Sequence, residues 1–153
     1  QSKYYYENLP CLVLDLGYDY TTSALVNSEE IISLKCISTG CRKINNTSMN
    51  RDKYLQEITQ LCSQMIGHYV FNFERDELKQ GILCGGGVHN MPTIISSLKK
   101  EIPLEWNNMN YFRRYLSNIP VEMDLNLYGN CLGSILWEGQ KLQEVGKKSH
   151  DRP

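Results

Sequence analysis

The chain of 153 residues has no excess of either charge: sixteen Lys and Arg stand against seventeen Asp and Glu, without long like-charge runs. That balance argues against binding nucleic acid or acidic lipid by bulk electrostatics. No apolar run approaches the roughly 20 residues that a membrane helix needs, so direct membrane insertion is not expected. Only three histidines occur, and His68, His89 and His150 have no ligand spacing, so no metal site is expected. No C-x-x-C occurs either. The six cysteines, at 11, 36, 41, 62, 84 and 131, read as small buried thiols in a reducing setting. Cys36 and Cys41, flanking Ser38-Thr39-Gly40, are the pair placed to meet as a local bridge. The chain does not open on Met, as expected of a fragment or a processed chain.

Glycine is where the sequence is distinctive. A short apolar strand, Ile82 to Cys84, runs into Gly85-Gly86-Gly87 and then into Pro92, with Ile94, Ile95 and Leu98 at helical spacing. The pattern is strand, glycine turn, helix. Glycines there allow close approach by a backbone or a ligand, and a helix start offers unpaired N–H groups. No Lys-Ser/Thr follows the glycines, which excludes a Walker-type P-loop, and Asn90 stands where a G-x-G-x-x-G fingerprint needs glycine.

Taken in order, residues 1–10 form a lead-in, 11–138 one compact domain and 139–153 a polar tail. Cys11 to Gly17 reads as a strand too apolar to be half exposed, hence central. Thr22 to Val26 and Ile31 to Ile37 are β-rich runs joined as a hairpin through residues 27–30. Ser38 to Asn50 reads as a loop. From Arg51 to Phe73 the stripe Leu55, Ile58, Cys62, Met65, Ile66, Tyr69 and Phe73 predicts a long amphipathic helix. Pro103 to Trp106 is a short strand candidate, Tyr111 to Leu116 a short helix, and Leu127 to Trp137 a last helix with Gly129 and Gly133 in it. The fold class is α/β, a ribonuclease-H-like mixed five-stranded sheet in the order β-β-β-α-β-α-β-α, with helices on both faces and the late strands parallel to the first.

In that plan, Asp15-x-Gly17-x-x-x-Thr21 on the first strand and its turn resembles the second phosphate motif of the actin, hexokinase and Hsp70 superfamily. Gly85-Gly86-Gly87 before a helix resembles its adenosine motif, and Gly129 to Trp137 its closing helix. Within that superfamily, Leu55-Gln56-Glu57-Ile58, Ile66-Gly67-His68-Tyr69, Gly81 to Gly87 and Tyr128 to Gly133 are similar to the C-terminal half of PilM, the actin-like protein of type IV pilus assembly. FtsA and the cytoplasmic part of GspL share those halves. The resemblance implies an actin-like fold, with Asp15, Gly17, Thr21, Gly85, Gly86 and Gly87 on a nucleotide surface for ATP and Mg. It further implies partners among pilus or secretion assembly proteins, including a membrane-anchored one. A cytoplasmic placement follows, with peripheral attachment at the inner face of the cell membrane as one option. The family inserts a small subdomain after the third strand, for which Thr39 to Asn50 is too short, and completes its cleft with a first half. ATP binding by these residues alone is therefore expected to be weak or absent.

A nuclease of this fold gathers several carboxylates around two metal ions. Asp15 supplies one and Glu57 sits on the long helix, but Cys84-Gly85-Gly86 occupies the strand end where another acid is needed. No nucleophile with a paired base is recognisable. The reading is thus a non-catalytic scaffold domain of a type IV pilus or type II secretion platform, contributing half of an ATP site. The alternative is the nucleotide half of a sugar or small-metabolite kinase. Tyr4 to Tyr6, Trp106, Tyr111, Phe112 and Tyr115, beside Arg113 and Arg114, form either a protein-binding face or a cover for a sheet edge.

Overall fold

The computed structural model describes residues 10–26, 31–46, 51–73, 78–110 and 122–125. Tyr4 to Tyr6, residues 27–30, the helix expected at Tyr111 to Leu116, the last helix at Leu127 to Trp137 and the polar tail lie outside the described residues.

Three strands open the fold: β1 (Cys11–Leu16), β2 (Thr21–Val26) and β3 (Ile31–Ile37). They pair antiparallel in sequence, while β4 (Gln80–Cys84) pairs parallel with β1 and β5 (Glu105–Asn108) parallel with β4. The sheet order β3-β2-β1-β4-β5 puts β1 at the centre, as its sequence, apolar but for Asp15, leads one to expect. Strand alternation sends Leu12, Leu14 and Leu16 to one face, all fully buried. Each contributes roughly 1.5–3 kcal/mol by leaving water.

That face is covered by α2 (Arg51–Phe73), which packs on β1 and β2 and along α4 (Pro92–Glu101). The side chains from α2 in the core are Tyr54, Ile58, Leu61, Cys62, Met65 and Tyr69, so the buried stripe includes Tyr54 and Leu61, which the sequence stripe omits. Leu55 and Ile66 sit at its margins, because a face wider than a strict heptad seam meets both the sheet and α4. Pro92 opens α4, Lys99 and Lys100 complement its C-terminal dipole, and Ile94, Ile95 and Leu98 are its buried residues.

Two boundaries differ from the sequence reading. Residues expected as a loop contain a six-residue helix, α1 (Cys41–Asn46), which polar composition concealed and tertiary hydrogen bonds hold. The last strand lies two residues beyond the expected Pro103 to Trp106, since its position is set by parallel pairing with Gln80 to Leu83. Trp106 lies across the neighbouring strand: its ring stands where a Cβ on its β4 partner Gly81 would be, and its Nε1 donates to Ile102 O at 3.0 Å. The described cysteines, Cys11, Cys36, Cys41, Cys62 and Cys84, are all free thiols. Among the described residues no helix is long and apolar enough to cross a membrane, and no group of His, Cys, Asp or Glu is arranged to hold a metal ion.

Candidate functional site at the C-terminal edge of the central strands

Parallel strands present their C-terminal ends together, and the register pairs Asp15 of β1 with Cys84 of β4. Gly85 therefore follows directly beside Leu16, and Gly17 beyond it enters the turn to β2. The structure thus brings Asp15, Gly17 and Gly85 to Gly87 to one edge of the sheet.

What the glycines do there is visible from what a side chain on each would meet. Gly85 has φ +88°, the left-handed region, and a Cβ on it would collide with Asp15 Oδ1 and stand 2.6 Å from Leu16 O. A Cβ on Gly87, at the start of the helical turn α3 (Gly87–Asn90), would lie 2.5 Å from Cys41 Sγ and 2.8 Å from Leu16 Cβ. One on Gly17 would lie 2.7 Å from Tyr20 O. Each close approach is made by the chain's own atoms. Gly86, in ordinary right-handed geometry, precedes the helical turn.

Thr21 turns inward. It is fully buried, donates its hydroxyl hydrogen to Thr39 O at 2.7 Å and accepts from Tyr54 OH, also at 2.7 Å. With both functions of the hydroxyl in use, Thr21 joins β2, the β3–α1 connection and α2, and its hydroxyl does not face the edge with Asp15. Burial, only partly offset by the Thr21 bond, raises the Tyr54 phenol above its ordinary pKa.

The turn residues that sequence reasoning passed over complete the edge. Helix α1 is pinned to this turn, with Cys41 N donating to Gly17 O at 3.1 Å and Arg42 N to Tyr18 O at 2.9 Å. Arg42 Nε pairs with Asp19 Oδ1 at 2.8 Å, and its guanidinium stands 5.8 Å from the Tyr18 ring centre. Tyr18 and Tyr20 are exposed by 62% and 59%, a large aromatic surface for a short turn. Gly40 was the available signal, since a Cβ there would collide with Tyr18 O. Cys41 Sγ donates to Leu16 O at 3.7 Å, and Cys84 Sγ to Leu14 O at 3.7 Å. Burial, and secondarily the charge of Asp15, pushes the Cys84 thiol up to about 12. Burial is also the main cause of the raised Cys41 thiol, with the Asp15 charge adding to it and its backbone bond opposing. Neither is a poised nucleophile.

The fold matches known structures. A chain of the PilM-PilN type IV pilus biogenesis complex superposes with TM-score 0.52 at 15% identity, over 74% of this chain and 41% of that one. This is an actin-like fold. The ethanolamine utilization protein EutJ from Carboxydothermus hydrogenoformans gives TM-score 0.47 at 11% identity, over 70% of this chain and 46% of its own. The apo psk41 ParM protein gives 0.42 at 16%, over 64% and 35%. The chain therefore spans less than half the length of these actin-like structures. No protein-family model and no curated protein matches it.

The turn after β1 and the glycines after β4 are where the resemblance drawn from the sequence implies a nucleotide phosphate. Here that edge carries the carboxylates of Asp15 and Asp19, and Arg42 is already paired with Asp19. An open groove of about 650 Å³ elsewhere, between α2 and α4, is lined by Asp52, Leu55, Gln56, Thr59, Gln60 and Glu101, none of which belongs to the edge.

Proposed function

We propose that this chain is a non-catalytic actin-like scaffold domain of a type IV pilus or type II secretion assembly platform, working at the inner face of the cell membrane. Its partners in this reading are other assembly proteins, including a membrane-anchored one, and the isolated chain holds ATP–Mg weakly or not at all. One observation carries the reading: Gly17, Gly85 and Gly87, three of the four glycines that resemble nucleotide motifs, are packed against Tyr20, Asp15, Leu16 and Cys41 of the chain itself. They serve to bring β1, β4 and α1 together at close range. The exposed Tyr18 and Tyr20 beside Arg42 leave at the same edge the residue types favoured in protein interfaces.

The likeness to a PilM-PilN complex chain supports the fold, and the assembly role follows as a proposal from what that complex is. Two measurements test it. Calorimetric titration of residues 1–153 with ATP–Mg is expected to show millimolar affinity or none, and micromolar binding would favour the kinase reading. A pull-down from the native cell is expected to recover pilus or type II secretion assembly proteins, whereas recovery of carbohydrate enzymes alone would overturn the assignment.

A further inference from the structure

Arg42 is oriented by the turn that it packs on. Its backbone N–H donates to Tyr18 O, its Nε pairs with Asp19 Oδ1, and its guanidinium stands 5.8 Å from the centre of the Tyr18 ring. A guanidinium presents its N–H donors in a planar fork with more than one usable edge. Asp19 approaches through Nε, and no other described residue gives the guanidinium a hydrogen bond or an ion pair. The edge between Nη1 and Nη2 is therefore unclaimed among the described residues, on a side chain that is 53% exposed.

The surroundings are aromatic and cationic. The exposed charges of this edge are Arg42 and Lys43, while Asp15 and Asp19 are intermediate in burial, Asp15 turned toward Gly85 and Asp19 toward Arg42 Nε. Tyr18 and Tyr20 add two largely exposed rings with a hydroxyl at the tip of each. The backbone beneath them is fixed, because Cys41 N and Arg42 N bond to Gly17 O and Tyr18 O and the turn closes tightly on Gly17 and Gly40. Aromatic and Arg anchors on a fixed backbone lose little freedom when a partner binds.

We propose that this turn docks an acidic segment of a partner protein. One Asp or Glu carboxylate of that segment takes the Nη1–Nη2 edge of Arg42, and apolar side chains next to it cover Tyr18 and Tyr20. A planar carboxylate matches the guanidinium fork, and Arg is the usual reader of acidic motifs. A basic segment would meet Arg42 and Lys43 with like charge. The edge is an exposed turn, whereas small metabolites are held in concave sites, and the groove of about 650 Å³ lies elsewhere, between α2 and α4. The inference rests on the scaffold reading only for the partner being a protein of the same assembly.

The test uses residues 1–153, with a phage-displayed library of random peptides as the probe. Enriched peptides are expected to carry Asp or Glu beside aromatic or apolar residues. A synthetic copy should bind roughly tenfold or more weakly to Arg42→Gln and to Tyr18→Ala. Arg42→Lys should lose as much as Arg42→Gln, since lysine lacks the planar fork. Changing the acids of the peptide to amides should cost a similar factor, and added salt should weaken binding to the parent. Circular dichroism of the variants should match the parent, and should one fail to fold, the amide form of the peptide decides. No enrichment, enriched peptides without acids, binding indifferent to both Arg42 variants, or displacement by inorganic phosphate as effective as by free peptide would each overturn the proposal. A pull-down from the native cell separates the two readings. Assembly proteins recovered equally by the parent and by Arg42→Gln would keep the scaffold role and overturn the acidic dock. Acidic peptides bound through Arg42, with no assembly protein recovered, would keep the dock and overturn the scaffold role.

Discussion

Asp15 places its carboxylate where a side chain on Gly85 would have to stand, so the acid at the end of β1 and the glycine at the end of β4 are fitted to one another. Their meeting follows from the parallel register of Asp15 with Cys84, and it gives a packing reason for a residue pair that resembles a nucleotide motif.

The first prediction separates the glycines. Gly85→Ala combines a left-handed backbone with collision against Asp15 and Leu16, and should cost roughly 2–4 kcal/mol. Gly86→Ala, in right-handed geometry, should cost less than about 1 kcal/mol. Urea denaturation of both variants decides, and equal costs would refute the packing account.

The Thr21–Tyr54 pair should behave as a coupled unit. Thr21→Val leaves Thr39 O and Tyr54 OH without their buried partner and should cost about 2–3 kcal/mol, more than the roughly 1–2 kcal/mol of Tyr54→Phe. A double-mutant cycle should return a coupling of about 1 kcal/mol. Additive losses would mean that the hydroxyls act independently.

By contrast, the ion pair of Arg42 with Asp19 is about half exposed on both sides, at 53% and 44%. Arg42→Ala should therefore change stability by less than about 1 kcal/mol, and added salt should shrink the difference. A larger loss, read from the same denaturation curves, would show that Arg42 braces α1 against the turn more firmly than solvent screening allows.

Alkaline pH should destabilise the fold. Burial pushes the thiols of Cys11, Cys62 and Cys84 up from 9.0 to about 12. Above pH 9 the unfolded chain loses protons that the folded chain keeps, so stability present at pH 8 falls as pH rises toward 12. The raised Tyr54 phenol acts in the same direction, at higher pH. The urea midpoint should drop between pH 8 and pH 10.5. A flat profile would contradict the buried thiols, as would rapid labelling at pH 8 of described cysteines other than Cys36.

The sequence by itself determined the elements whose pattern is local and strong. The apolar run of β1, the β2–β3 pairing, α2 from Arg51 to Phe73 and the Pro92 start of α4 were legible, because alternation, helical periodicity and proline chemistry act within a few residues. The convergence of Asp15, Gly17 and Gly85 was legible too, once the strands were taken as parallel. Only the tertiary structure decided what those residues touch. Helix α1 is polar and short, so it has no periodic signature, and it exists through bonds to Gly17 and Tyr18 more than twenty positions earlier. Tyr54 and Leu61 joined the core because α2 meets two partners at once, which one-dimensional spacing does not record. Thr21 read as part of a phosphate motif until Thr39 and Tyr54 claimed its hydroxyl. A glycine in sequence says only that something comes close. Whether that neighbour is a ligand or the protein's own backbone is settled by long-range packing, since the atoms that fill the space belong to other strands.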